Sequence, residues 1–143
     1  MIVLLQKQHL NRIFSSIFIS TAKLNIKKEG YTMSYIKNIS HEEVISLAKQ
    51  VNASAGQIVS KTLAQNKAVS ITLFAFAENE EISTHESNGD AMVTVLEGVG
   101  KFTVDGKEYI LNAGETLIMP AKKPHAVFAQ EAFKMVLTVV FPL

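Results

Sequence analysis

The sequence predicts an all-β fold, an antiparallel barrel or sandwich, on three observations. Between Asn79 and Gln130, alternating apolar runs of four to seven residues are separated by Gly98-Val99-Gly100, Asp105-Gly106, Asn112-Ala113-Gly114 and Pro120-Ala121-Lys122-Lys123-Pro124. Short strands punctuated by turn residues are the pattern of antiparallel sheets. The flanking runs Val69–Ala77 and Phe133–Phe141 are apolar on both faces along much of their length, as strands buried on two sides should be. Helix signals occur only near residue 40.

There, Ser40-His41-Glu42-Glu43 reads as a capping box, with Ser40 as N-cap, Glu43 at the third helical position, and Ile39 and Val44 placed to staple across it. A short helix is expected from His41 to about Gln50. Its apolar face of Val44, Ile45, Leu47, Ala48 and Val51 would cover an edge or open end of the barrel. A turn at Asn52–Gly56 leads into a strand at Gln57–Gln65, with Ile58, Ser60, Thr62 and Ala64 on one face and Val59, Lys61 and Leu63 on the other. Asn66-Lys67 turns the chain into Val69–Ala77, and Glu78–Ser83 is read as acidic and exposed. Strands follow at Met92–Leu96, Gly100–Val104, Glu108–Leu111 and Thr116–Met119, with Asp105-Gly106 as a two-residue hairpin turn. Pro120 and Pro124 shape a loop that presents His125, and Phe133–Phe141 is the last strand.

The chain has 143 residues, 48% of them hydrophobic, which is material for one domain with a single core. It has no cysteine, so it lacks thiolate ligands and disulfides and suits a reducing cytoplasm. A net charge of +1 provides no basic field for nucleic acid, and that partner class is not expected. Residues 33–143 carry nine Lys/Arg against twelve Asp/Glu, a net of −3, whereas residues 1–32 carry five against one. The first 32 residues contain no apolar run near the roughly 20 residues a membrane helix needs. They are read as a translated leader ahead of a start at Met33, because Lys27-Lys28-Glu29-Gly30 can be encoded by AAA-AAG-GAG-GGN, a purine-rich ribosome-binding sequence. The alternative is a signal peptide, with Lys7, His9 and Arg12 as its basic region, Ile13–Ile19 as its apolar region and Ser20–Ala22 as its cleavage site.

The chemistry-bearing residues are His85 and His125, each in a polar break beside an apolar run. Asn79, His85, Ser87, Ala91 and Gly98 stand at the spacing of one motif: glycine, five residues, His-x-His, three or four residues, Glu, six residues, Gly. Gly114, Pro120, Lys122, His125 and Ala129 stand at the spacing of a second: glycine, five residues, Pro-x-Gly, two residues, His, three residues, Asn. On these residues the stretch from about 57 to 142 resembles a small single-domain cupin. The resemblance implies a double-stranded β-helix barrel, a jelly roll, for residues 33–143. It also implies a metal site in which only His85 and His125 remain of the usual four ligands, since Ser87 replaces the second His and Ala91 the Glu.

If His85 points into the barrel, strand alternation sends Ser87, Ala91, Val93 and Val95 inward too, and Glu86, Asp90 and Met92 outward. Three readings of the pair follow. It binds a divalent metal (Zn, Mn, Fe or Ni), weakly held because a site ordinarily takes three or more protein ligands. It serves as hydrogen-bond donors or as a general base in a metal-free, concave apolar pocket, with Ser87 and Lys122 near the rings. Or both rings are structural, each bonded to nearby backbone.

The favoured function is binding of a small molecule in the barrel. The rival is a metal-dependent enzyme acting on a small polar or carbohydrate-like substrate. An interaction-only protein comes third, and no residue is assigned a catalytic role. Lys122, at a motif glycine near the barrel mouth, is placed to meet an anionic ligand. Doubly apolar Leu73–Phe76 and Met135–Val140 suit a homodimer.

Overall fold

The computed structural model describes residues 34–143, so the readings made for residues 1–32 lie outside the described residues. Among the described residues nine strands form: β1 (Ile58–Gln65), β2 (Val69–Phe76), β3 (Glu81–His85), β4 (Asp90–Glu97), β5 (Val99–Val104), β6 (Lys107–Asn112), β7 (Thr116–Met119), β8 (His125–Phe128) and β9 (Phe133–Val140). They pair antiparallel in two sheets, ordered β1-β2-β9-β4-β7 and β3-β8-β5-β6. The expected barrel is therefore two separate sheets rather than one closed surface. Edge strands β6 and β7 do not pair, because the Asn112–Glu115 turn crosses from one sheet to the other; Gly114 N donates to Val95 O and Val95 N to Glu115 O. In that turn Glu115 Oε2 accepts from the backbone N–H and side-chain amide of Asn112, which holds its carboxyl below the ordinary value. The support this gives the turn is present above the unfolded-state pKa and is lost as pH falls through the lowered folded value.

Period-two alternation decides what lies between the sheets. Ala91, Val93 and Val95 of β4 are buried, whereas Asp90 and Met92 face out, as the alternation predicts. Phe76, Phe133 and Met135 join them from the same sheet, and Phe102, Leu111 and Val127 from the other. The Asp105-Gly106 hairpin also forms as read: φ is +50° and +78°, a pair of positive values that suits the right-handed twist of its strands. Both X-Pro bonds beside the His125 loop are trans.

The expected helix His41–Gln50 is not found. Residues 41–46 form no helix, and only one 3-10 turn forms, at Leu47–Gln50. Asn38 and Glu42 take positive φ, 64° and 58°, through which a right-handed helix cannot pass. His41 Nε2 instead lies 2.8 Å from Ile36 O, and Val44 is fully exposed, so the staple does not form. The covering role is met by other means. Lys37 N and Asn38 Nδ2 donate to Leu63 O and Thr62 O of edge strand β1, each at 2.7 Å. Ile39, Leu47 and Val51 pack over the outward side chains Leu63, Leu73 and Ala75. Lys134 Nζ ties the strap to β9 through Ala48 O and Asn52 Oδ1, both at 2.8 Å. Thus one of the two runs expected to meet a second subunit is largely covered by the chain itself. Among the described residues no helix is long and apolar enough to cross a membrane.

Candidate functional site

The two strands that carry the histidines are those the alternation missed, β3 and β8. They pair directly, and their register sets His85 opposite His125. The ring centroids lie 4.4 Å apart with the planes at 64°. Each Nδ1 meets a backbone carbonyl two residues earlier at 2.9 Å, His85 at Ser83 O and His125 at Lys123 O. A carbonyl oxygen only accepts, so both rings carry their proton on Nδ1 and keep an Nε2 lone pair when neutral. His125 is 3% exposed and lies deep, whereas His85 is exposed at the mouth.

Both rings line a cavity of about 220 Å³. Its wall is otherwise mostly apolar: Phe74, Met135, Leu137 and Val139 come from one sheet, and Ile82 and Val127 from the other. The opposite end of the sandwich is filled by Phe76, Phe102 and Phe133, which leaves the space at the histidine end. A wider groove of about 410 Å³ between Tyr109–Leu111 and Glu115–Leu117 holds neither histidine.

Ser87 lines the cavity and its Oγ accepts from Gly89 N at 3.2 Å. Glu86 lines it as well, contrary to the outward position that alternation assigned. The reason is local: β3 shifts register between Ile82 and His85 and ends at His85, so Glu86 no longer follows the pleat. Lys122 is not part of the wall; its ammonium is bonded to Asn88 Oδ1 and its N–H to Ser87 O. Asp90 faces out and anchors the same loop, accepting from Ala121 N at 2.8 Å. The loop is also held by Asp105 N, which donates to Pro124 O, and by Lys123, whose ammonium lies 2.7 Å from the Asp105 carboxylate and is raised above the ordinary lysine pKa by that hydrogen bond and charge. The sequence reading did not pick out Phe74, Ile82 or Leu137 as site residues. Inward alternation was the available signal, but only the pairing of β3 with β8 sets the two histidines side by side on the same cavity as these side chains.

As a metal site the donor set is incomplete. Two imidazole nitrogens face the cavity, Ala91 is buried where the resemblance expected Glu, and among the described residues no group of three or more His, Cys, Asp or Glu is arranged to hold an ion. The residues present do not fit a tightly bound metal.

The structure is similar to that of a cupin superfamily protein from Desulfitobacterium hafniense, at 33% identity, TM-score 0.73, covering 76% of this chain and 100% of that one. The chain belongs to the cupin superfamily. The family model for the cupin domain matches residues 72–141 of this cupin. A conserved protein of unknown function from Streptococcus pyogenes is 43% identical at TM-score 0.75, over 78% of this chain and 98% of that one. A cupin 2 conserved barrel domain protein from Leptotrichia buccalis is 43% identical at TM-score 0.66, over 67% of this chain and 47% of that one. Comparison with curated proteins returned no match.

The two motifs are now legible as backbone geometry. Their glycine positions Asn79, Gly98, Gly114 and Lys122 all have positive φ, at 66°, 76°, 89° and 62°. Asn tolerates the left-handed region; Lys does so under strain. Lys122→Gly is therefore expected to leave stability unchanged or raise it by up to about 1 kcal/mol, relief of strain offsetting the added freedom of the unfolded chain. Urea denaturation checks this, and a loss above about 1 kcal/mol would show that the lysine side chain supports the loop.

Proposed function

We propose that this cupin binds a small organic molecule in the His85–His125 cavity without a tightly held metal, with the two rings as polar anchors. The observation that carries the reading is the pair of Nε2 atoms left free on the wall of a mostly apolar cavity whose ionisable groups fall short of a metal ligand set. Backbone bonds at both Nδ1 atoms fit a structural role equally well, but they do not account for two such rings beside an open space. Concave apolar sites with a few convergent polar groups are the usual form of small-molecule sites. The absence of cysteine fits a reducing cytoplasm.

Elemental analysis of the purified full chain beside His85→Ala tests the reading. Well under one metal per chain is expected in both. Near-stoichiometric metal in the parent that disappears in the variant would favour the rival, a metal-dependent enzyme on a small polar or carbohydrate-like substrate, in which the two imidazoles are ligands completed by water or substrate.

The proposal includes a homodimer. With Leu73 and Ala75 under the strap, the outer sheet face still exposes Met92, Ile118 and Val140, and Met92 and Ile118 are register partners in β4 and β7. Light scattering after size exclusion should give twice the chain mass for the parent and the single mass for Met92→Lys/Ile118→Lys. A monomeric parent would remove the dimer.

A further inference from the structure

Resting on that reading of the cavity, we infer that its occupant is a compact, largely apolar molecule, aromatic in body, that carries a hydrogen-bond donor head and no negative charge: a phenol, an alcohol or an amine. The size comes first. Apolar cavities of about 150 Å³ take up benzene. The volume here, about 220 Å³, admits a body of that size and one small polar group. The wall comes next. Phe74, Met119 and Met135 offer polarizable surface, and thioether sulfurs make favourable contacts with aromatic rings. A carbohydrate would bring several hydroxyls into this wall, and each one left unpartnered loses the hydrogen bonds it makes to water.

The head group follows from the polar atoms. Both Nδ1 protons are committed to backbone carbonyls, so the neutral rings present two acceptors and no donor to the cavity. The other ionisable residue on the wall is Glu86. Among the described residues no Lys or Arg lines the cavity, and Lys122 is held outside it by Asn88. Ser87 Oγ can rotate its own proton toward a ligand, but a single hydroxyl is a weak counterpart for an anion. A carboxylate or phosphate would meet two lone pairs without a cation. A hydroxyl or ammonium meets acceptors.

The test titrates the full chain, freed of metal with a chelator, with phenol, benzylamine and benzoate at millimolar concentrations, following the methionine methyl signals by NMR. Phenol and benzylamine are expected to shift the Met119 and Met135 methyls saturably, with benzoate at least about tenfold weaker. Benzoate binding as tightly as phenol would overturn the donor-head inference and leave the pocket reading standing. No saturable shift from any probe would overturn both. His125→Phe, which fills the deep end, should abolish the phenol shifts while keeping a dispersed spectrum. His85→Ala, at the exposed mouth, should keep the fold and weaken phenol several-fold; an unchanged phenol affinity there would overturn the role given to the imidazole pair.

Discussion

Phe133→Ala is expected to lower the free energy of unfolding by about 3–5 kcal/mol, as large-to-small changes at buried aromatics do. Phe133 is 2% exposed, stacks on Phe76 with centroids 4.7 Å apart and planes at 11°, and meets Phe102 edge-on at 6.1 Å and 80°. It also fills the space left by Gly100, where an added Cβ would come within 2.8 Å of its ring. The lost methylenes and ring contacts cannot be recovered by collapse, because both partners are held in strands of opposite sheets. Domains of this size are stable by only about 5–15 kcal/mol, so a fifth or more of the total is at stake. Urea unfolding followed by circular dichroism reads the change. A loss below about 1 kcal/mol would mean that the aromatic end is not packed as described.

Gly98→Ala is expected to cost about 2–5 kcal/mol, from two sources that act together. At φ +76° any L side chain carries about 1–2 kcal/mol of left-handed strain. The new Cβ would lie 2.5 Å from Ala132 O and 3.0 Å from Phe133 Cα, and overpacking against backbone costs about 1–3 kcal/mol more. Thermal unfolding of the variant beside Lys122→Gly separates the contributions. Both sites hold positive φ, but the loop at Lys122 is exposed and the turn at Gly98 abuts β9. Gly98→Ala as stable as the parent would contradict the close approach of the β4–β5 turn to the start of β9.

Much of this fold could be read in order along the chain. Val69–Phe76, Thr116–Met119 and Phe133–Val140 stand within a residue of the expected strands, because alternation over several residues and a turn at each end are local signals. The Asp105-Gly106 turn and the motif spacing from Asn79 to Ala129 were legible for the same reason. Positive φ at fixed positions persists even where the glycine itself has been replaced.

Other features depended on partners distant in sequence. β3 is five residues long and largely exposed, so it has no periodicity of its own and is a strand because β8 supplies its hydrogen bonds; β8, four residues long, pairs with both β3 and β5. The capping box at Ser40 is a sound local helix signal. It lost to the backbone bonds of Lys37 and Asn38 with β1 and to the docking of Ile39, Leu47 and Val51 on the outer sheet. By itself, then, the sequence determined an all-β cupin chain, its turns, its inward β4 residues and the two histidines at the motif positions. The tertiary structure alone decided that the sheets stay separate, that Glu86 reaches the cavity while Lys122 does not, and that both rings turn their free nitrogens to one apolar space. Strand period and turn chemistry act between neighbours in sequence, whereas a cavity is defined by which side chains from several strands fail to meet.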